Sequence, residues 1–137
     1  MQKRGKQMKR LAIVASVAAA LLLASVALAA VKLHGTYKTT ITNGVVGGVL
    51  KGPWTIKFNR PNYTVSEDGI VEVRGKYALK GHAITFHDKT GRDACPGAGR
   101  YTVHLRGGTL TFTPLSDPNP NCLGRRTVLG GTFTKVG

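Results

Sequence analysis

Gly75-Lys76-Tyr77-Ala78-Leu79, turning at Lys80-Gly81-His82 into Ala83-Ile84-Thr85-Phe86, is followed by a second copy of itself. That copy is Gly99-Arg100-Tyr101-Thr102-Val103, turning through His104–Gly108 into Thr109-Leu110-Thr111-Phe112. Each copy has Gly-basic-Tyr, alternating apolar residues, a Gly turn and aliphatic-Thr-Phe. Alternation with a period of two puts Tyr77 and Leu79 on one face with Ile84 and Phe86. It puts Tyr101, Val103 and Leu105 on one face with Leu110 and Phe112. The stretch reads as an antiparallel β meander, and the rest of the chain extends it.

Upstream, Gly35–Thr42 alternates Tyr37, Thr39 and Ile41 against Lys38, Thr40 and Thr42, a half-buried strand. Asn43-Gly44 is a strong hairpin signal, and Val45–Leu50, interrupted by Gly47-Gly48, reads as a weaker or bulged strand. Gly52-Pro53 is expected to break the ladder. Trp54, Ile56 and Phe58 then point one way, with Thr55 and Lys57 the other. Asn59–Asn62 is a turn, Tyr63-Thr64-Val65 a strand, Asp68-Gly69 a tight turn, and Ile70–Val73 leads into the doubled hairpin. Gly75 marks a bend. Asn119-Pro120 is expected to cap a short helix ended by Gly130, with Thr132-Phe133-Thr134 as the last strand. Gly131–Lys135 echoes Gly35–Lys38, and similar end strands suit a closed sheet. The expected fold is all-β: an antiparallel up-and-down barrel of about eight strands with one short helix before the last.

Met1–Ala29 has the parts of a secretory signal: a basic region ending at Arg10, an apolar run from Leu11 to Ala24, and Ala27-Leu28-Ala29 as an A-x-A site. Cleavage before Ala30 leaves a barrel domain of residues 30–137. The rival is an uncleaved anchor through residues 11–31, which also exports the domain. No Cys sits near the cleavage point, so a lipid-anchored lipoprotein is not expected. Cys95 and Cys122 follow the leader and are expected to pair in an oxidising compartment. Closing that loop is worth about 3.6 kcal/mol on the chain-entropy model.

The formal net charge is +14, from 20 Lys and Arg against 6 Asp and Glu. Five of those cations lie in the first ten residues, so fifteen remain against six. Such a domain either is merely soluble or is drawn to an anionic envelope polymer or lipid surface.

Chemistry-bearing residues are sparse. His87 and His104 fall on the polar face, where they could approach each other across strands. Two imidazoles make a poor metal site without a third ligand, for which Asp88, at the start of the Asp88–Ala98 loop between the hairpins, is only a loose candidate, and neither metal nor other cofactor is expected. Glu67, Asp68 and Glu72 sit at one hairpin, and Glu72 with Asp117 is the carboxylate pair to weigh for glycoside cleavage. Trp54, Ile56, Phe58, Tyr77, Leu79, Phe86, Tyr101, Val103, Phe112 and Phe133 form the inward face, which is either a packed core or the wall of an apolar pocket. One arginine of Arg125-Arg126 either folds over the barrel end onto loop carbonyls or Asp117, or meets the head group of an anionic ligand.

Gly99-Arg100-Tyr101, Leu110-Thr111-Phe112 and the Asp117, Cys122, Arg125, Leu129 series resemble the lipocalin-like (calycin) barrels, and in particular small secreted bacterial proteins of that architecture. Gly35-Thr36-Tyr37 holds the place of the lipocalin Gly-x-Trp signature with Tyr in it, while Gly52-Pro53-Trp54 carries the letters later. The resemblance implies a barrel that binds a small hydrophobic molecule. The leading expectation is therefore a secreted, non-enzymatic, monomeric module for a hydrophobic or amphiphilic ligand, anionic head groups favoured. Its candidate contacts are Trp54, Phe58, Tyr77, Tyr101 and Arg126. The alternatives are a cell-envelope interaction domain with a filled core and basic surface, and a small hydrolase or isomerase. No nucleic-acid partner is expected.

Overall fold

Inward and outward residues alternate along eight strands until the sheet meets itself. The computed structural model describes residues 31–43 and 48–137. The leader with its cleavage site, and the Val45–Gly47 part of the expected second strand, lie outside them. The strands are β1 (Gly35–Ile41), β2 (Gly52–Asn59), β3 (Asn62–Glu67), β4 (Ile70–Lys80), β5 (Ala83–Thr90), β6 (Ala98–Arg106), β7 (Thr109–Ser116) and β8 (Phe133–Lys135). Each pairs antiparallel with the next, and β8 returns to β1 with Lys135 opposite Tyr37, so the barrel closes. Closure leaves no strand edge unpaired.

The predicted inward face is the interior. Trp54, Ile56, Phe58, Tyr77, Phe86, Tyr101, Val103, Phe112 and Phe133 are all buried, and Leu79 is half-buried. The rings pack mostly edge to face: Phe58 on Tyr77 at 5.2 Å between centroids, Phe86 on Phe112 at 5.6 Å, and Phe112 on Phe133 at 5.9 Å.

Four local expectations are corrected. Asn43 does not head a two-residue hairpin, because β1 pairs with β2, Ile41 opposite Gly52, and Val49-Leu50 form a turn. The Gly47-Gly48 region offers little to bury, whereas β2 sets Trp54 opposite Thr39 and Ile56 opposite Tyr37. Gly52-Pro53 opens β2 rather than interrupting it. A proline is tolerated near a strand's first position, and its carbonyl accepts the Asp68 N–H at 2.9 Å. The second copy of the hairpin extends its strand through Arg106, with only Gly107-Gly108 turning. His87 and His104 do not approach each other, since His87 is paired with Ala98 and His104 with Thr111, six positions further along β6.

Gly75 is the expected bend, with a register slip at Arg74/Gly75. A Cβ there would lie 2.4 Å from the His87 carbonyl and 2.6 Å from the Tyr63 ring, so only glycine lets that ring cross the strand.

The two ends of the barrel differ. One, the closed end, has three two-residue turns, Arg60-Pro61, Gly81-His82 and Gly107-Gly108, together with the segment before β1. Leu33 of that segment is buried in the core, and its carbonyl accepts the Tyr77 hydroxyl at 3.5 Å. The other, the lid end, carries the long connections between β1 and β2, β5 and β6, and β7 and β8. The last contains a 3-10 turn, Pro120–Cys122, and the helix α1 (Leu123–Leu129), with the Asn119 side chain capping the turn and Gly130 ending the helix. Among the described residues no helix is long and apolar enough to cross a membrane.

Candidate functional site

At the lid end the barrel is not full. A cavity of about 360 Å³ lies between the barrel mouth and the loops above it. Its barrel wall is Trp54, Ile56, Tyr63, Val65, Val73 and Phe86, and its roof is Leu50 with Leu123, Val128 and Leu129 of α1. Val49 and Leu123 on its margin remain exposed. Pairs such as Trp54/Ile56 and Tyr63/Val65 reach it because alternate residues of a strand face one side.

Three constraints hold the lid in place. The Trp54 indole N–H donates to the Leu50 carbonyl at 2.8 Å, pinning the β1–β2 loop over the mouth. Leu50 sits there in the left-handed region, φ 75°, unusual for a branched side chain. The Cys95–Cys122 disulfide, closing 27 residues, joins the β5–β6 loop to the start of the helix.

The third constraint is a buried polar network. Along β5, Ile84 and Phe86 face inward, and the same parity brings the Asp88 carboxylate inside, where its side chain is 3% exposed. Asp88 accepts the Tyr63 hydroxyl and, at 3.0 Å, the Cys95 N–H, and lies 3.6 Å from Arg125 Nη1. Arg125 forms a two-pronged pair with Asp117, Nε to Oδ2 at 2.8 Å and Nη2 to Oδ1 at 2.6 Å. Both of its Nη groups also reach the Gly97 carbonyl at 3.2 Å. The Tyr101 hydroxyl donates to Asp117. Gly99 makes room for all this, since a Cβ there would stand 2.7 Å from Asp117 Oδ2 and 2.8 Å from Arg125 Nε. Among the described residues every buried side-chain polar atom has a hydrogen-bond partner.

The electrostatics follow from that geometry. Burial pushes the Tyr63 phenol up, and its hydrogen bond to the Asp88 carboxylate adds to the shift. Tyr101 is raised for the same reasons, burial first and Asp117 second. Burial alone would raise Asp117, but the hydrogen bonds from Arg125 and Tyr101 and the charges of both arginines outweigh it and hold the carboxyl below its usual range. Arg125, opposed by burial, is held in its charged form by Asp117 and Asp88.

Of the five expected ligand contacts, Trp54 lines the cavity. Phe58, Tyr77 and Tyr101 lie off it, within the ring-filled interior. Arg126 is turned to the loop, donating to the carbonyls of Asp117 and Asn119 at 2.8 Å each. Alternation carries Tyr63 and Val65 to the inward face, but Asp88, expected to open the inter-hairpin loop, is instead an inward residue of β5, which runs on through Thr90. Arg125 rather than Arg126 facing the cavity depends on helix phase, and Arg92-Asp93-Ala94 on loop geometry. Glu72 and Asp117 do not converge on a cleft: Glu72, in a bulge of β4, pairs with Arg92 at 2.5 Å, and Asp117 with Arg125. The Glu67, Glu72 and Asp93 carboxylates gather around that same Arg92.

The cavity can thus shelter an apolar molecule against aliphatic and aromatic walls. On its polar side Arg125 directs its donors at Asp117, Asp88 and Gly97, while Arg92, at the margin, pairs with Glu72 and keeps most of its side chain exposed. No known protein family, characterised protein or solved structure matches the chain.

Proposed function

We propose that this protein is a secreted, lipocalin-like, non-enzymatic binding module that holds a small, neutral, largely apolar molecule in the lid-end cavity. The observation that carries this reading is the pairing of a mainly apolar space of about 360 Å³ with a buried Arg125 whose donors are turned to Asp117, Asp88 and Gly97. That volume is at the small end of ordinary ligand sites. A carboxylate or phosphate head group seated on Arg125 would have to take it from Asp117, weakening a buried ion pair at a cost of several kcal/mol. This favours a neutral ligand over the anionic one that net charge alone suggests. Export is supported by the leader pattern of Met1–Ala29 and by a disulfide of the kind that persists in oxidising compartments.

Trp54 is the single tryptophan of the chain and lies on the cavity wall, so its emission reports occupancy. Titration of the exported protein with decanol should shift that emission and raise Tm with concentration, while decanoate at pH 8 should do much less. Decanoate binding as tightly as decanol, or neither binding at millimolar concentration, would overturn the reading.

A further inference from the structure

Charge is distributed along the barrel axis in a way that the total hides. All six acids of the chain lie at the lid end. Asp88 and Asp117 are inside the network, and Glu67, Asp68, Glu72 and Asp93 are at the β3–β4 turn and the adjoining β5–β6 loop. Seven cations share that end: Lys51, Arg74, Lys89, Arg92, Arg100, Arg125 and Arg126. The lid end is therefore close to neutral. The other eight cations of the domain are Lys32, Lys38, Lys57, Arg60, Lys76, Lys80, Arg106 and Lys135, on the barrel wall below the mouth or at the closed end. All eight are exposed, and none forms an ion pair among the described residues. No Asp or Glu side chain interrupts them.

The chain also enters the barrel at this end. Val31–His34 leads into β1 beside the Gly81-His82 and Gly107-Gly108 turns.

We propose that the closed end seats the barrel on an anionic lipid surface, upright, with the cavity mouth facing the aqueous side. The occupant is argued from charge complementarity: a surplus of eight exposed positive charges, unpaired among the described residues, gathered away from the mouth. Each cation held near an anionic bilayer strengthens binding about fivefold, and the attraction fades within a Debye length of about 8–10 Å. A near-neutral lid end gains nothing from the same surface. The ligand would then reach the cavity from water rather than from the bilayer. This inference stands whether or not the cavity binds a neutral molecule.

Its test is sidedness at constant net charge, by co-sedimentation of the exported protein with vesicles of phosphatidylcholine alone or with 30% phosphatidylglycerol. The closed-end triple Arg60→Gln, Lys80→Gln, Arg106→Gln is compared with the lid-end triple Lys51→Gln, Lys89→Gln, Arg100→Gln. None of these side chains makes a hydrogen bond or ion pair among the described residues, and circular dichroism checks that both triples are folded. Binding to the mixed vesicles should fall about a hundredfold in the closed-end triple and by less than about fivefold in the lid-end triple. Equal losses in the two triples would overturn the proposal. Equal binding of the parent to neutral vesicles would also overturn it, assigning attachment to the leader alone. So would binding to soluble polyphosphate with none to the mixed vesicles, which would assign the surface to a polymer.

Discussion

The two ends of this barrel solve the same problem with different chemistry. At the closed end, two-residue turns let the strands run almost into one another, and Phe58, Tyr77 and Leu33 fill the space between them. At the lid end three long connections stand beside one two-residue turn, Asp68-Gly69, and their backbone must be held by something other than a ladder. A disulfide, an indole on a carbonyl and a buried Tyr-Asp-Arg-Asp-Tyr network hold it, and space is left beneath. Ring packing leaves little room between the rings because they interdigitate, and the open space at the closed end is a groove beside Val31, His82 and Arg106. A directional polar network fixes its members at set distances and leaves gaps that apolar neighbours cannot collapse into.

Breaking each end at its main support gives the largest effects. Arg125→Ala at the lid and Phe58→Ala at the closed end should each lower unfolding free energy by about 3–5 kcal/mol in chemical denaturation. The causes differ and can be separated. Adding Asp117→Asn to Arg125→Ala removes the stranded charge and should restore part of the loss, whereas adding it to Phe58→Ala should only destabilise further.

Replacing both Cys95 and Cys122 by Ser should cost about 2–4 kcal/mol. By hydrogen exchange the loss should fall first on α1 and the β5–β6 loop, with β4–β5 near Lys80 protected as before. Uniform deprotection would show that the ends are not separate units.

Alkaline pH probes the network through its phenols. Tyr63 and Tyr101 have folded-state pKa values above their unfolded ones, through burial and then their carboxylate partners. The stability they contribute is present below the unfolded value of about 10 and is lost as pH rises beyond it. Phenolate absorbance from these two should appear only together with unfolding. Asp117 acts in the opposite sense, its depressed pKa giving stability that is present above about pH 4 and lost below.

The smallest expected effect is a gain. Gly124 lies inside α1 and on the cavity, where an added Cβ would meet only Leu50 Cδ1 at 3.9 Å. Gly124→Ala should raise stability by about 0.5–1 kcal/mol through helix propensity, seen as a higher Tm.

Period-two alternation made most of the barrel legible, because Trp54, Ile56, Phe58 and the doubled hairpin declare their faces without help. The same parity placed Asp88 after Ile84 and Phe86, yet a carboxylate at an inward position reads as an end of strand until its partners are known. Those partners come from β3, the β5–β6 loop and α1, two of the three distant in sequence, so no local pattern announces them. The Gly-basic-Tyr repeat was visible, but its two glycines serve different neighbours: Gly75 the Tyr63 ring, Gly99 the Arg125–Asp117 pair. The choice between a filled core and a pocket had no single answer, since the interior is the first at one end and the second at the other.

The account rests on where a neutral apolar molecule sits. Methyl NMR of the protein titrated with decanol addresses this directly. Shifts should concentrate on Val65, Val73, Val128 and Leu129 around the lid-end cavity, leaving Ile84, Val103 and Leu110 in place. Shifts centred on Ile84, Val103 and Leu110, or spread evenly over both sets, would contradict it.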